Sequence, residues 1–312
     1  MEILKLDQFS DRMEETILEI SNLKKVYKDT TAVRNLSISV QKGQVFGLLG
    51  PNGSGKTTTL GIILGVLRQT SGSFSWFGNG DKDENRKRIG ALLETPNFYP
   101  YLSAWDNLVV VAKIKGMTEY DGRIEEILKR VNLYERRKSK FKTFSLGMKQ
   151  RLALASTMIN DPDIYVLDEP TNGLDPEGIA EIRTIILEIA KEGKTIIIAS
   201  HILDEIEKVC THAAILRKGE LLQTGSIREI LTQERLVMLK APDLRALAEA
   251  LKNFPECGFV KEEGGELLVS LNENVDPSEI NKKLSSQGIY LSGIKEHRKN
   301  LESTFLEIIK DN

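Results

Sequence analysis

The chain of 312 residues is poor in the side chains that usually announce a metal cluster or a disulfide frame: two cysteines, Cys210 and Cys257, and three histidines. Two isolated thiols support neither a stapled scaffold nor a zinc site. Aromatic residues make up only 6%, and no charge of one sign predominates, with 43 basic against 45 acidic side chains and a net charge of −2. A general electrostatic grip on nucleic acid is therefore not expected. No apolar run approaches the roughly 18 residues needed to cross a bilayer, and the first residues lack an apolar signal core. The expectation is a soluble, reduced, cytoplasmic protein. What is present, 40% hydrophobic and 28% charged residues, is the balance of a globular chain, long enough for about two domains.

The first residues carry no periodicity and read as an extension over 1–16. Strand-like segments follow at 17–20, 36–40 and 45–49, and the last runs into a glycine-rich stretch and a helix over 56–67. Strand, glycine turn and helix open an α/β unit. The section from about 95 to 160 reads as mostly helical. Ser103 with Asp106 three residues on resembles a capping box, and Gly116 offers a stop. Asp121 is expected to precede a helix over 123–131 that buries Ile124, Ile127, Leu128 and Val131. The apolar runs 164–167 and 195–199, separated by a helix over 177–191, read as buried parallel strands. A hairpin is expected around Gly219. Beyond about 226 the order becomes β-α-β-β-α-β, over 236–240, 243–253, 258–262, 266–271, 276–287 and 289–295, with a last helix over 301–309.

Three motifs carry chemistry. Gly50-Pro51-Asn52-Gly53-Ser54-Gly55-Lys56-Thr57 fits G-x-x-x-x-G-K-[ST]. Its glycines let backbone N–H groups converge on phosphate oxygens, Lys56 adds a point charge at the β- and γ-phosphates, and the Thr57 hydroxyl suits Mg²⁺. The helix that follows adds its positive end. The apolar run ending in Asp168-Glu169 is expected to set Asp168 beside the metal and Glu169 toward the attacking water. Phe144-Ser145-Leu146-Gly147-Met148, continued by Lys149-Gln150-Arg151, is a second cradle, where the Ser145 hydroxyl, Gly147 and another helix start suit a phosphate. Two cradles in one chain suggest a triphosphate held from both sides.

This order of motifs, over about 17–224, resembles the nucleotide-binding subunit of ATP-binding cassette (ABC) transporters, with 144–148 in the place of the family's LSGGQ signature. The resemblance implies a P-loop α/β fold with a parallel-sheet core, an antiparallel β subdomain and a helical signature subdomain over about 95–160. The nucleotide-binding domain is expected over 17–225 and a small ferredoxin-like α+β domain over 226–312. It implies ATP and Mg²⁺ as cofactors and a head-to-tail homodimer with ATP at its seam. It also implies a separate membrane permease as partner, a place at the cytoplasmic face of the membrane, and no nucleic acid. ATP-binding positions carried over are Tyr27 against adenine, Gly50, Asn52, Gly53, Ser54, Gly55, Lys56, Thr57 and Thr58 on the phosphates, Ser145 and Gly147 from the partner, and Asp175 in the D-loop Asn172-Gly173-Leu174-Asp175. Taken alone, Tyr27 would be core and Asp175 a helix cap. Catalysis falls to Glu169, His201 and Lys56, and the metal to Thr57, Asp168 and Glu94.

Glu94 departs from the family, which usually has glutamine there, and adds negative charge near the triphosphate unless a metal is bound. With the following Thr95-Pro96-Asn97-Phe98-Tyr99-Pro100 it resembles the subgroup of bacitracin and lantibiotic exporters. The aromatic loop 94–101 is the expected permease-docking surface. The alternative is a soluble ABC ATPase that remodels ribosomes or nucleic acid. The single cassette, the absence of sustained heptads between Lys56 and Ser145 and the net charge all weigh against it. No Asn-Lys-x-Asp stretch supports guanine binding.

Overall fold

The computed structural model describes residues 15–78, 83–93, 97–231, 235–272, 275–297, 301 and 304–305. Glu94, most of the expected N-terminal extension and most of the expected last helix lie outside the described residues. The chain divides into two compact units, Met1–Ser226 and Ile227–Asn312.

The first unit begins with a long hairpin, β1 (Thr16–Tyr27) against β2 (Thr30–Gln41), followed by β3 (Val45–Leu49) and helix α1 (Lys56–Ile63). β4 (Ser71–Trp76) adds to the hairpin in a three-stranded antiparallel sheet of order β2-β1-β4. The alternation of buried and exposed residues along β2 marks a sheet with one face in the core. Trp76, fully buried, donates its indole N–H to the Ile63 carbonyl at 2.7 Å, which satisfies an orphan acceptor at the end of α1. The helix expected over 56–67 stops at Ile63, capped by Gly65 at φ 74° with Val66 N–H donating to the Gly61 carbonyl at 2.9 Å. β1 runs to Tyr27, well beyond the expected 17–20, because its pairing continues with β4 to Lys24 and with β2 to Tyr27.

A short α2 (Asp83–Lys87) and β5 (Ile89–Leu92) lead to the helices α3 (Ala104–Ile114), α4 (Asp121–Arg130) and α5 (Leu146–Thr157). Ser103 caps α3 by accepting from the Asp106 N–H at 3.0 Å, and Gly116 takes a positive φ of 77° after it. Asp121 is the first residue of α4 rather than its cap. Tyr120 stands at the cap without a side-chain bond, so Asp121 acts through its charge at the helix start.

β6 (Ile164–Asp168), α6 (Pro176–Lys191), β7 (Thr195–Ser200), α7 (Leu203–Val209), β8 (His212–Arg217) and β9 (Glu220–Ser226) complete the unit. The main sheet has the order β5-β6-β7-β3-β8-β9, parallel from β5 to β8 and closed by antiparallel β9. Every residue of β3, β6 and β7 is buried, as expected of strands covered on both faces. Leu49 pairs with Ser200 and Asp168 with Ala199, so three neighbouring strands end at one level. Ligand sites of open α/β sheets form outside such carboxyl ends.

The second unit comprises α8 (Ile227–Leu231), β10 (Arg235–Lys240), α9 (Leu244–Leu251), β11 (Cys257–Glu263), β12 (Glu266–Leu271), α10 (Pro277–Ser286) and β13 (Gly293–His297). Its four strands form an antiparallel sheet of order β11-β12-β10-β13. After α8, that is the β-α-β-β-α-β arrangement of a ferredoxin-like unit. Its own core joins Val237, Leu239, Leu247, Leu251, Val269, Ile280 and Leu284. The last strand starts at Gly293 rather than at the expected 289, and Ile289 instead packs against that core.

Candidate nucleotide site

The loop between β3 and α1 is built around positions where a side chain does not fit. A Cβ on Gly50 would lie 2.3 Å from the Leu216 carbonyl oxygen, and one on Gly55 2.5 Å from that of Ala32. Gly55 also carries φ 102°, which a residue with a Cβ rarely adopts. The backbone therefore curls tightly, with Gly219 N–H donating to the Ser54 carbonyl at 3.0 Å from behind.

Lys56 opens α1 and is only 5% exposed. A buried ammonium needs acceptors, and its Nζ donates to the Gly50 carbonyl at 2.7 Å and lies 3.4 Å from Glu169 Oε1. The other Glu169 oxygen is 2.9 Å from His201 Nδ1. Glu169 follows β6 and His201 follows β7, so the register that ends both strands together aligns a Lys56–Glu169–His201 row. Glu169 holds its place with φ 48° in the left-handed region, its N–H donating to the Ala199 carbonyl at 2.9 Å. A non-glycine residue held there costs on the order of 1–3 kcal/mol and is retained where the surroundings over-determine it.

Asn52, Gly53, Ser54, Gly55, Lys56, Thr57, Thr58 and Glu169 wall a cleft of about 640 Å³. Thr57 is exposed to it and Asp168 is buried at the end of β6. Ser54 Oγ is buried without a hydrogen-bond partner among the described residues, a polar atom that suits an anion-binding loop. The donors fit Mg²⁺: a hydroxyl and a carboxylate are hard oxygen ligands, and this ion is commonly held by one or two carboxylates with phosphate and water completing the shell. No cluster of three or more His, Cys, Asp or Glu suited to a metal occurs among the described residues.

Sequence reasoning missed the opposite wall. Asp29, Thr30, Thr31, Ala32 and Arg34, at the β1–β2 turn and the start of β2, line the cleft with Lys218 from the β8–β9 turn. Arg34 N–H, within β2, donates to the Gly219 carbonyl at 2.6 Å, which joins β2 to the β8–β9 turn. The only available signal was the pair of hairpin turns, each carrying a cation.

Other expected residues lie apart from the cleft wall. Tyr27 closes β1 with 42% exposure, and Lys25 Nζ stands 4.7 Å from its ring centre; it is therefore not the core residue its strand-end position alone would suggest. Ser145 caps α5, accepting from the Met148 N–H at 3.3 Å, and is exposed with Leu146. Asp175 caps α6, accepting from the Gly178 N–H at 2.9 Å ahead of Pro176. Gly173, at φ 74°, lies against Leu146, so the D-loop turn abuts the start of the signature helix. Ser145 and Gly147 thus lie outside the wall of the cleft that carries Lys56 and Glu169.

Residues 33–172 match a family model described as ABC transporter. Over 301 residues the chain is 34% identical to the bacitracin transport ATP-binding protein BcrA of Enterococcus faecalis, with 95% of this chain and 97% of that protein covered. The chain belongs to the ATP-binding subunits of ABC transporters. It is also 43% identical over 206 residues to the lantibiotic transport ATP-binding protein SrtF of Streptococcus pyogenes, covering 66% of this chain and 89% of that one. Among solved structures, the ATP binding subunit of an ABC transporter matches with a TM-score of 0.63 at 30% identity, over 69% of this chain and 92% of its own. A dimeric ATP-binding cassette in a post-hydrolysis state with ADP and Pi matches with a TM-score of 0.61 at 26% identity, over 68% and 99%. The chain is thus an ABC ATPase, a nucleotide-binding and ATP-hydrolysing transporter subunit. The ribosome- or nucleic-acid-remodelling alternative is not favoured.

Proposed function

We propose that two copies of this chain pack head to tail and clamp ATP between the Lys56 cleft of one and the Ser145 surface of the other. The observation that carries this reading is the separation of the two cradles: Lys56 and Glu169 share one cleft, while Ser145 and Gly147 are absent from its wall. A phosphate held by both must be met from two protomers.

In this arrangement Gly50, Asn52, Gly53, Ser54, Gly55 and Thr58 surround the phosphates and Lys56 neutralises them. Tyr27 meets adenine, and Asp175 keeps the D-loop turn in place as the α6 cap. Glu169 accepts the proton of the attacking water, and His201, 2.9 Å from its carboxylate, orients it and steadies the γ-phosphate. Bound Mg²⁺ supplies charge neutralisation on the phosphate oxygens. Thr57 and Asp168 are its proposed ligands, and Glu94 joins them on resemblance alone. Loss of the γ-phosphate removes contacts that only ATP makes, which shifts the population toward the open state.

Among the described residues no helix is long and apolar enough to cross a membrane. The proposed partner is a separate membrane permease, which would hold the ATPase at the cytoplasmic face of the membrane. Its docking surface is the loop 94–101, where Tyr99 and Tyr101 are 50% and 64% exposed with ring centres 5.8 Å apart. Exposed aromatic pairs are favoured interface anchors. The names of the bacitracin and lantibiotic relatives support export of a peptide antibiotic. Affinity purification from detergent-solubilised membranes tests the pairing. The wild-type chain retains a polytopic membrane protein and the Tyr99→Ala/Tyr101→Ala variant loses it, with ATP turnover of the free subunit unchanged. Equal recovery with both would contradict this docking.

A further inference from the structure

Residues 136–142 form a row of cations that the nucleotide site does not use. Arg136, Lys138, Lys140 and Lys142 are exposed, while Arg137, Ser139 and Phe141 between them are half-buried or buried. Burial alternates along the segment, so four exposed cations fall within seven residues. The inner residues are tied down. Arg137 donates to the Tyr134 carbonyl at 2.9 Å and stacks 4.0 Å over its ring, and Phe141 meets Phe98 with ring centres 5.2 Å apart.

The outer four have no carboxylate within ion-pair distance among the described residues. Neighbouring cations differ: Lys129 pairs with Glu125 at 2.7 Å and Arg130 with Glu192 at 2.8 Å. Of the nearby acids, Asp106 is engaged by Ser103 Oγ at 2.6 Å, and Glu135 is exposed beside the row. An unpaired run of four cations on a chain whose net charge is −2 is a local concentration of charge, not a property of the whole surface.

The row is stitched to the proposed docking loop. Phe141 N–H donates to the Leu102 carbonyl at 2.9 Å and Lys142 N–H to that of Pro100 at 3.0 Å. Trp105 and Ala104 N–H donate in return to the Arg137 and Ser139 carbonyls at 3.0 and 3.2 Å. A surface that meets a permease through 94–101 therefore carries this row beside it.

We infer that Arg136, Lys138, Lys140 and Lys142 bind the anionic headgroups of the membrane next to the permease. This inference rests on the reading that the loop 94–101 faces a membrane partner. The chemistry favours headgroups over an acidic peptide. Three of the four are lysines, hydrated point charges on flexible stems without the rigid fork that fixes a carboxylate bidentately. Such charges suit a diffuse layer of phosphate, where each adds attraction within a Debye length of the surface.

The test is flotation of the purified full-length chain with phosphatidylcholine vesicles, with and without about 30% phosphatidylglycerol. The wild type floats with the anionic vesicles only, and salt at about 0.5 M releases it. Lys138→Ala/Lys140→Ala/Lys142→Ala lowers partitioning about 100-fold, near fivefold for each charge, while ATP turnover stays at the wild-type level and reports an intact fold. Equal flotation on neutral vesicles, an unaffected triple variant, or capture by poly-glutamate without capture by anionic vesicles would overturn the inference. Because vesicles contain no permease, this outcome is read separately from the Tyr99/Tyr101 purification.

Discussion

The two units of the chain are built to different ends. In Met1–Ser226 the carboxyl ends of β3, β6 and β7 converge, and the price of convergence is visible: a buried ammonium, a left-handed glutamate and glycines that accept no side chain. Ile227–Asn312 has a sheet, two helices over it and a continuous apolar core, with no row of buried ionisable groups among the described residues. The described residues of the second unit are organised around that core. The first contains features that packing would remove, and such features mark where chemistry is done.

The sharpest way to break this contrast is Lys56→Ala. Removal of the ammonium leaves Glu169 facing His201 alone and takes away the charge proposed for the phosphates. ATP turnover should fall at least about 100-fold, the scale of losing one preorganised electrostatic contact. Turnover close to wild type would place the active centre elsewhere.

Leu247→Ala addresses the other unit. Leu247 is fully buried in the α9 face of the small core, and its truncation should cost that unit about 2–5 kcal/mol. Thermal unfolding followed by calorimetry should show an earlier transition for the second unit, with nucleotide affinity of the first retained. A parallel loss of both would join what the fold keeps as separate cores.

The two thiols, Cys210 in the first unit and Cys257 in the second, compare the units without a substitution. Burial pushes the Cys210 thiol far above the usual range, and pushes Cys257 up to about 11. Since the raised value disfavours thiolate, alkylation of Cys257 at pH 8 should run on the order of 100-fold slower than that of a free thiol and rise with pH toward 11. Cys210 should react only on unfolding, and mass spectrometry of the labelled chain distinguishes the two.

The sequence made the chemistry-bearing motifs legible because each is local. A glycine loop, a strand ending in two carboxylates and a serine before a helix are readable without knowing what they touch. Ser103 and Asp106 likewise declared the start of α3. What was hidden depends on contacts distant in sequence. That Arg34 and Lys218 line the cleft of the Lys56 loop follows from β2 meeting the β8–β9 turn, distant in sequence. The left-handed φ of Glu169 is set by the neighbouring β7, and nothing in the string Asp168-Glu169-Pro170 reveals it. Asp175 satisfies its helix-cap reading on geometry, and its D-loop role rests on the proposed dimer. The stop of α1, by contrast, has a local signal that the expected span to 67 overran: Gly65, at φ 74°.

The clamp between two protomers is tested most directly by light scattering on size-exclusion of Glu169→Gln with ATP and Mg²⁺. Neutralising that carboxylate should leave nucleotide bound and unhydrolysed, and the account predicts a mass twice that of the 35.0 kDa chain, reverting to one chain when ADP replaces ATP. A variant that binds ATP and remains at 35.0 kDa would contradict it.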